Sequence, residues 1–362
     1  MQTIINGIDN LKNVFVTLNC RKIFLVAGNS YSSSCVKKHI DALNAEIVRF
    51  SDFKPNPVFE DVCSAVSLFK ENECDAIVAV GGGSCIDVAK CVKLSVLADA
   101  GLQALIPPLV SERLPIDGQR LPFVAIPTTA GSGSESTHNA VMYYQGAKQT
   151  VTNDEILPDF AILEPSVLDT LPLYQKKSAM LDALCQAIES WWSVNSTNES
   201  IGYSKQAVEL IMKYWRRYIF DNDKDAAEKI MLAANYAGRA INISATTAAH
   251  AMSYKITSIY KLAHGHAVAV CLPEIWEYML KVAPDIQQFH SISEAMGFDS
   301  SNEAISAFRK MMNEMELKNP VAVDRKTELD VLSKSVNPVR LKNNPVPIDE
   351  PTARNLYDKI VL

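Results

Sequence analysis

The sequence predicts two domains: an α/β domain built on a parallel sheet over residues 1–172, and an all-helical domain over residues 173–362. Three observations carry this. Apolar runs of strand length alternate with amphipathic helical segments through the first half of the chain. Two of those runs end in loops of glycine and small hydroxyl residues, at the strand ends where open α/β sheets bind ligands. From about residue 178 the strand signals stop and a 3.6-residue periodicity takes over.

In order, residues 22–27 (KIFLVA) read as a buried strand that gives way at Gly28-Asn29-Ser30-Tyr31 to a loop and a helix. Residues 46–53 form a second extended run, closed by Lys54-Pro55-Asn56-Pro57. An amphipathic helix over 59–73 leads to the strand 75–80, which runs straight into Gly81, Gly82, Gly83 and Ser84. Glycines at a strand end, followed by Cys85-Ile86-Asp87-Val88-Ala89-Lys90 in helical register, let the backbone approach a phosphate while the helix N-terminus supplies N–H groups. A tight chain reversal accounts for the same glycines, and the spacing is not GxGxxG. The strand 121–126 ends in a second such loop, Pro127 to Glu135, with Thr128, Thr129 and Ser132. A hairpin over 141–144 and 149–153 and a strand at 160–163 complete the first domain, with the boundary near 168–177. Helices are expected over 178–194, 199–219, 223–240, 245–258 and 265–282, with shorter pieces to the end.

The 362 residues are 48% hydrophobic and 21% charged, ordinary values for a globular chain of about two domains. A net charge of -6 offers no electrostatic reason to bind nucleic acid. The basic cluster Lys213, Arg216 and Arg217 precedes Asp221, Asp223 and Asp225 and reads as a solvated helix face. Eight cysteines form no CxxC pair, so a reduced, cytoplasmic setting is expected. No basic segment followed by an apolar run opens the chain, and no apolar run approaches the ~18 residues of a membrane span, so no membrane partner is expected.

Three of the six histidines, His250, His264 and His266, fall within one short stretch that reads as a helix followed by a turn. One histidine on an apolar helix is usually a satisfied core residue. Asp182 and Gln186 upstream, four apart on one helix face, change the reading. A carboxylate, an amide oxygen and two imidazoles can close around a divalent ion.

The motifs GGGSCIDVAK, PTTAGSGSE, DALCQAIE, HAMSY and AHGHAV together resemble the iron-dependent (group III) alcohol dehydrogenase family, nearly end to end. That resemblance implies a Rossmann-like nucleotide-binding domain, a helical domain of the dehydroquinate synthase-like kind, and one catalytic divalent metal, Fe²⁺ or Zn²⁺, in the cleft between them. Its metal ligands fall on Asp182, Gln186, His250 and His264, so a family histidine has become Gln186, a weaker ligand for first-row metals. Its further histidine near the nicotinamide has become Tyr254. The phrases AIESWWSVNST, AINISATTAAHAMSY and HGHAVAVCLP resemble the subgroup of phosphonoacetaldehyde reductases.

The resemblance implies reduction of a small aldehyde, with Tyr254 or His266 delivering the proton. The cofactor is expected to be NADPH rather than NADH, because Gly28, with Ser30 close behind, stands where NAD-preferring relatives tend to carry an aspartate. Cofactor-binding residues are expected at Gly28, Ser30, Gly81, Gly82, Gly83, Ser84, Asp87, Thr128, Thr129 and Ser132. Arg239 and Lys255 are expected to bind an anionic substrate, phosphonoacetaldehyde, with Lys261 a weaker candidate. A general short-chain alcohol dehydrogenase, a lyase like dehydroquinate synthase and a metal-free nucleotide-binding paralogue are the alternatives. A homodimer is compatible with all of them.

Overall fold

The computed structural model describes residues 2–111, 114, 116 and 120–362. The chain falls into two compact units, Met1–Thr170 and Leu171–Leu362.

In the first unit the chain runs β1 (Thr3–Asn6), α1 (Leu11–Leu18), β2 (Lys22–Ala27), α2 (Lys37–Asp41), β3 (Glu46–Phe50), α3 (Phe59–Glu71), β4 (Ala76–Gly81) and α4 (Gly83–Leu97). It continues with β5 (Phe123–Pro127), β6 (Asn139–Tyr144), β7 (Ala147–Thr152) and β8 (Phe160–Leu163). Among the described residues, six strands form one parallel sheet in the order β1-β8-β5-β4-β2-β3, and β6 and β7 form the antiparallel hairpin. The central strands β2, β4 and β5 are buried along nearly their whole length, as apolar parallel strands covered on both faces must be. The chain leaves β2 to one side, for β3, and returns on its other side as β4, so the direction of winding reverses between β2 and β4. The crevice at the carboxyl ends of those two strands is the topological switch point. β1 carried no signal in the sequence, because its four residues are all at least partly exposed; it is an edge strand fixed by pairing Thr3 with Phe160 through Asn6 with Leu163.

The second unit holds α5 (Leu173–Trp192), α6 (Asn198–Phe220), α7 (Lys224–Ser244), α8 (Ala248–Tyr260) and α9 (His264–Val282). They are followed by α10 (Gln287–Ala295), α11 (Ser301–Glu314), α12 (Arg325–Lys334), α13 (Pro338–Leu341) and α14 (Glu350–Ile360). α5 packs against α6, α7 and α9 and is buried on all sides, which makes it the axis of the unit. It starts five residues before the expected position. The Lys176-Lys177 pair that reads as linker is tied down instead, Lys177 Nζ donating to the Met315 carbonyl at 2.8 Å and Lys176 Nζ to Asn222 Oδ1 at 2.7 Å. At the other side, α8 begins three residues later than expected, since Ala245 takes a left-handed φ of 57° that no helix tolerates.

Candidate active site

Asp182 and Gln186 lie one turn apart on the buried axis helix α5, both almost without exposure. α8 brings His250 to them and the first residue of α9 brings His264. One ligand atom from each of Asp182, His250 and His264 lies within 4.8 Å of the others. His250 Nε2 is 3.3 Å and His264 Nε2 3.8 Å from Asp182 Oδ1. The His250 and His264 rings meet edge to face at 5.5 Å.

Glu189, fully buried, fixes this geometry. Its Oε1 accepts from the backbone N–H groups of Thr247 (3.1 Å), Ala249 (2.9 Å) and His250 (3.2 Å) and from the Thr247 hydroxyl (2.8 Å), so a carboxylate from α5 caps the start of α8. Its Oε2 accepts from His250 Nδ1–H. That bond fixes the ring so that Nε2 is the nitrogen turned toward Asp182 Oδ1, the one a metal would take in place of its proton. Burial alone would disfavour an imidazolium here, but Glu189 and Asp182 outweigh it and lift His250 to about 9. The field between the two carboxylates thus stabilises positive charge. Donor atoms that converge in such a field fit a divalent cation in place of the His250 Nε2 proton, with Gln186, one turn along α5 from Asp182, as the candidate neutral fourth donor.

Gly265 allows the approach of α9. A Cβ there would lie 2.0 Å from the Ser178 carbonyl oxygen and 2.7 Å from Asp182 Cβ, so only glycine lets His264 reach the cluster. The N-terminus of α9 is then held by α5, with Ser178 Oγ accepting from the His266 N–H at 3.0 Å and Tyr174 Oη from the Ala263 N–H at 3.0 Å.

The remaining expected residues fall in different places. His266 has both ring nitrogens engaged: Tyr174 Oη, whose oxygen already accepts from Ala263, is 3.1 Å from Nδ1, and the Lys318 carbonyl is 3.0 Å from Nε2. Burial holds its pKa below the ordinary value. The ring is a neutral strut between α5, α9 and the segment around residue 318, and the proton-delivery role expected of it finds no support in this placement. Tyr254 does lie beside the cluster, its ring stacked on that of His264 at 6.0 Å and 7°. The partner the sequence did not suggest is Arg340 of α13, which donates to Tyr254 Oη at 3.0 Å with its Cζ 5.3 Å from the ring centre. Arg239 lies over the Tyr203 ring at 5.1 Å, where α7 meets α6, on helices other than those that carry the cluster. Lys255 lines a surface depression with Thr327, Asp330 and Lys334 of α12.

In the first unit, the loops after β4 and β5 lie against each other. A Cβ on Gly82 would come within 3.3 Å of Thr129 Oγ1, one on Gly83 within 2.9 Å of Ser132 Oγ, and one on Gly81 within 2.5 Å of Cys85 Cβ. α4 starts there with no side-chain cap on its N-terminus, and the bare backbone of the loops forms a cradle suited to a phosphate. Asp87 and Lys90, one turn on, stand behind it. Ser134 Oγ donates to Asp87 at 2.9 Å, while Lys90 Nζ donates to Ser134 Oγ at 3.1 Å, Thr137 Oγ1 at 2.9 Å and the Asn139 carbonyl at 2.7 Å. Burial draws Lys90 down to about 8 against the opposing pull of Asp87 and Glu135. Asp87 therefore shapes the second loop through Ser134.

A phosphate cradle at the carboxyl end of a parallel sheet, and a buried carboxylate–histidine cluster in a helical unit, define a class of nucleotide- and metal-dependent protein. The chain belongs to the iron-containing alcohol dehydrogenase family. The family described as iron-containing alcohol dehydrogenase matches residues 3–165, and its Fe-containing C-terminal domain matches residues 177–361. The chain is 32% identical over 270 residues to the probable alcohol dehydrogenase EutG of Escherichia coli; the match covers 72% of this chain and 65% of that protein. It is 37% identical over 218 residues to the phosphonoacetaldehyde reductase of Streptomyces viridochromogenes, covering 56% of this chain and 53% of that protein. The crystal structure of sulfoacetaldehyde reductase from Bifidobacterium kashiwanohense in complex with NAD⁺ superposes with a TM-score of 0.91 and 25% identity, covering 99% of this chain and 96% of that one.

Three substitutions probe the metal site. Gly265→Ala is expected to destabilise the protein by about 3 kcal/mol, because the clash is with backbone, and to lower bound metal; an unchanged melting temperature contradicts this account. Glu189→Gln keeps the shape but frees the tautomer of His250, and is expected to weaken divalent-metal affinity by about 10- to 100-fold, measured by competition with a chromogenic chelator. Gln186→His is expected to slow metal loss on dialysis, since imidazole binds first-row ions better than an amide oxygen.

Proposed function

We propose that the protein reduces a small anionic aldehyde to its primary alcohol with a nicotinamide cofactor, NADPH in preference to NADH, and that the aldehyde is phosphonoacetaldehyde, giving 2-hydroxyethylphosphonate. The observation that carries the anionic substrate is the stack of Arg340 on Tyr254 on His264: a guanidinium one ring away from a candidate metal ligand. The likeness to phosphonoacetaldehyde reductase and sulfoacetaldehyde reductase, both named for two-carbon aldehydes bearing an acid group, supports the same reading.

The groups of the chain divide the work. The glycine loop after β4, with Thr129 and Ser132 against it, would take the pyrophosphate, and Asp182, His250 and His264, with Gln186 as a fourth donor, would hold the ion. When bound, the nicotinamide supplies hydride and the ion supplies positive charge at the carbonyl oxygen. Glu189 anchors His250 through Nδ1 and so aims Nε2 toward Asp182. Arg340 is a donor only, so in its bond with Tyr254 the phenol oxygen accepts, and we assign delivery of the proton to Tyr254, which lies beside His264. The oxidised cofactor and the alcohol leave after one hydride and one proton have entered the aldehyde. Arg340 also offers the planar fork of donors that a phosphonate accepts.

The test is aldehyde-dependent oxidation of NADPH, comparing phosphonoacetaldehyde with propanal. Arg340→Ala is expected to lower kcat/KM for phosphonoacetaldehyde on the order of 10²-fold, since losing one partner of a desolvated ion pair costs ~2 to 5 kcal/mol, and to lower that for propanal much less, through the lost bond to Tyr254 alone. Equal losses for the two aldehydes, or a wild-type preference for propanal, sink the anionic reading.

A further inference from the structure

We infer that Arg49 and the loop behind Gly28 form a subsite for the 2′-phosphate of the adenosine ribose, and that Arg49 is the residue that selects NADPH over NADH. The inference rests on the nicotinamide reading above and adds the residue that reads the phosphate.

β2 and β4 are paired neighbours, with Ala27 opposite Val80, so Gly28 and Gly81 leave the sheet side by side at the switch point. With the pyrophosphate at the glycine loop after β4, the adenosine ribose reaches the end of β2. In dinucleotide sites an acidic side chain beside the ribose accepts the 2′-hydroxyl and repels a 2′-phosphate, whereas an arginine accommodates it. Here the strand end carries no acid. The cation comes from the next strand, β3, where Arg49 lies opposite Leu25 and reaches along β2 to its end.

The guanidinium is held rather than loose. Nε donates to the Ala27 carbonyl at 3.2 Å, Nη2 to the Gly28 carbonyl at 2.6 Å and Nη1 to Ser32 Oγ at 3.3 Å, and Cζ stands 5.1 Å from the ring centre of the buried Tyr31. These bonds use three of the five N–H donors of an arginine. They engage only neutral acceptors. Of the acids near it in sequence, Asp41 pairs with Lys37 and Glu46 with Lys22, Asp52 is exposed, and among the described residues no carboxylate pairs with Arg49. A preorganised, half-buried guanidinium with donors to spare and no counter-ion is suited to a phosphate dianion, which Arg binds in a forked geometry. Because Arg49 donates to Ser32 Oγ, that hydroxyl keeps its proton for a second contact to the same anion.

Gly28 supplies the second, independent observation. Its φ of -70° is open to any residue, and a Cβ there would meet nothing within 4 Å. Neither backbone nor packing asks for glycine. The missing side chain leaves room and no charge in front of Arg49, which is what an added phosphate requires.

The experiment is calorimetric titration of the wild-type protein and its variants with NADP⁺ and NAD⁺, and with 2′,5′-ADP and 5′-AMP as probes of the ribose phosphate alone. The wild type is expected to bind NADP⁺ and 2′,5′-ADP the more tightly of each pair. Arg49→Gln is expected to weaken both about 10²-fold, the loss expected for hydrogen bonds to a charged group, with NAD⁺ and 5′-AMP within about threefold; Arg49→Lys should fall between. Gly28→Asp leaves Arg49 in place and has space for its side chain, so it tests the subsite without removing the brace on β2; it is expected to reverse the preference toward NAD⁺. Equal wild-type affinity for NADP⁺ and NAD⁺, or equal losses of both in Arg49→Gln, overturns the inference and leaves the nicotinamide reading standing. Failure of the wild type to bind either dinucleotide overturns both.

Discussion

One buried carboxylate organises the helical unit. Glu189 sits in the last turn of the axis helix with no exposure, and its desolvation would be ruinous if it were not compensated. Compensation comes from the N-terminus of α8, whose first N–H groups have no partners within their own helix, and from His250 Nδ1. The same interaction therefore satisfies the carboxylate, starts the helix and chooses the tautomer of a metal ligand. Thr247 links this to packing: its hydroxyl donates to Glu189 while accepting from Trp192 Nε1 at 2.9 Å, and Trp192 lies edge to face with Trp276 and Phe289 in the core. A disturbance at Glu189 thus reaches the ligand set and the aromatic core together.

The rest of the site depends on close approach between backbones. Gly265 brings α9 onto α5, Gly82 and Gly83 bring the β4–α4 turn against the loop after β5, and Gly81 lets that turn close on Cys85. In each place a methyl group would collide with the neighbouring segment. The second loop is held from behind by Lys90 and Asp87, buried groups that stabilise each other and Ser134. This network of hydrogen bonds around Lys90 braces the loop from within the protein.

Much of this was legible in the sequence because it is periodic or local. The buried runs of β2, β4 and β8, the glycine loop, and the four-residue spacing of Asp182 and Gln186 all follow from patterns within one element. What escaped was long-range. β1 becomes a strand only through β8, and Glu189 reads as an ordinary helix residue until α8 is folded over it. Gly265 looked like part of a turn; its signal was a glycine wedged between two histidines, yet the clash it avoids is with residues some 80 positions upstream. Arg340 lies in a short helix after a long polar stretch, with nothing in the pattern to attach it to Tyr254. Arg239, by contrast, drew attention because its sequence neighbours are small and apolar; its partner in the fold, the Tyr203 ring, is a contact between α7 and α6 that those neighbours do not announce.

Charge balance joins the metal ligands to the anion site. Gln186 replaces one neutral donor with another, so the formal charge of the ligand set is unchanged and only its strength is reduced. Glu189 and Asp182 favour positive charge at His250, and a divalent ion in place of the Nε2 proton would be balanced by the same two carboxylates. A cluster that is neutral when loaded polarises a carbonyl at contact distance but exerts little pull on an anion farther off, where screening weakens what remains. Recognition of a substrate's acid group then has to come from a separate cation close to the reacting end. In the reading proposed above Arg340 is that cation, and its bond to Tyr254 would tie recognition of the acid group to delivery of the proton.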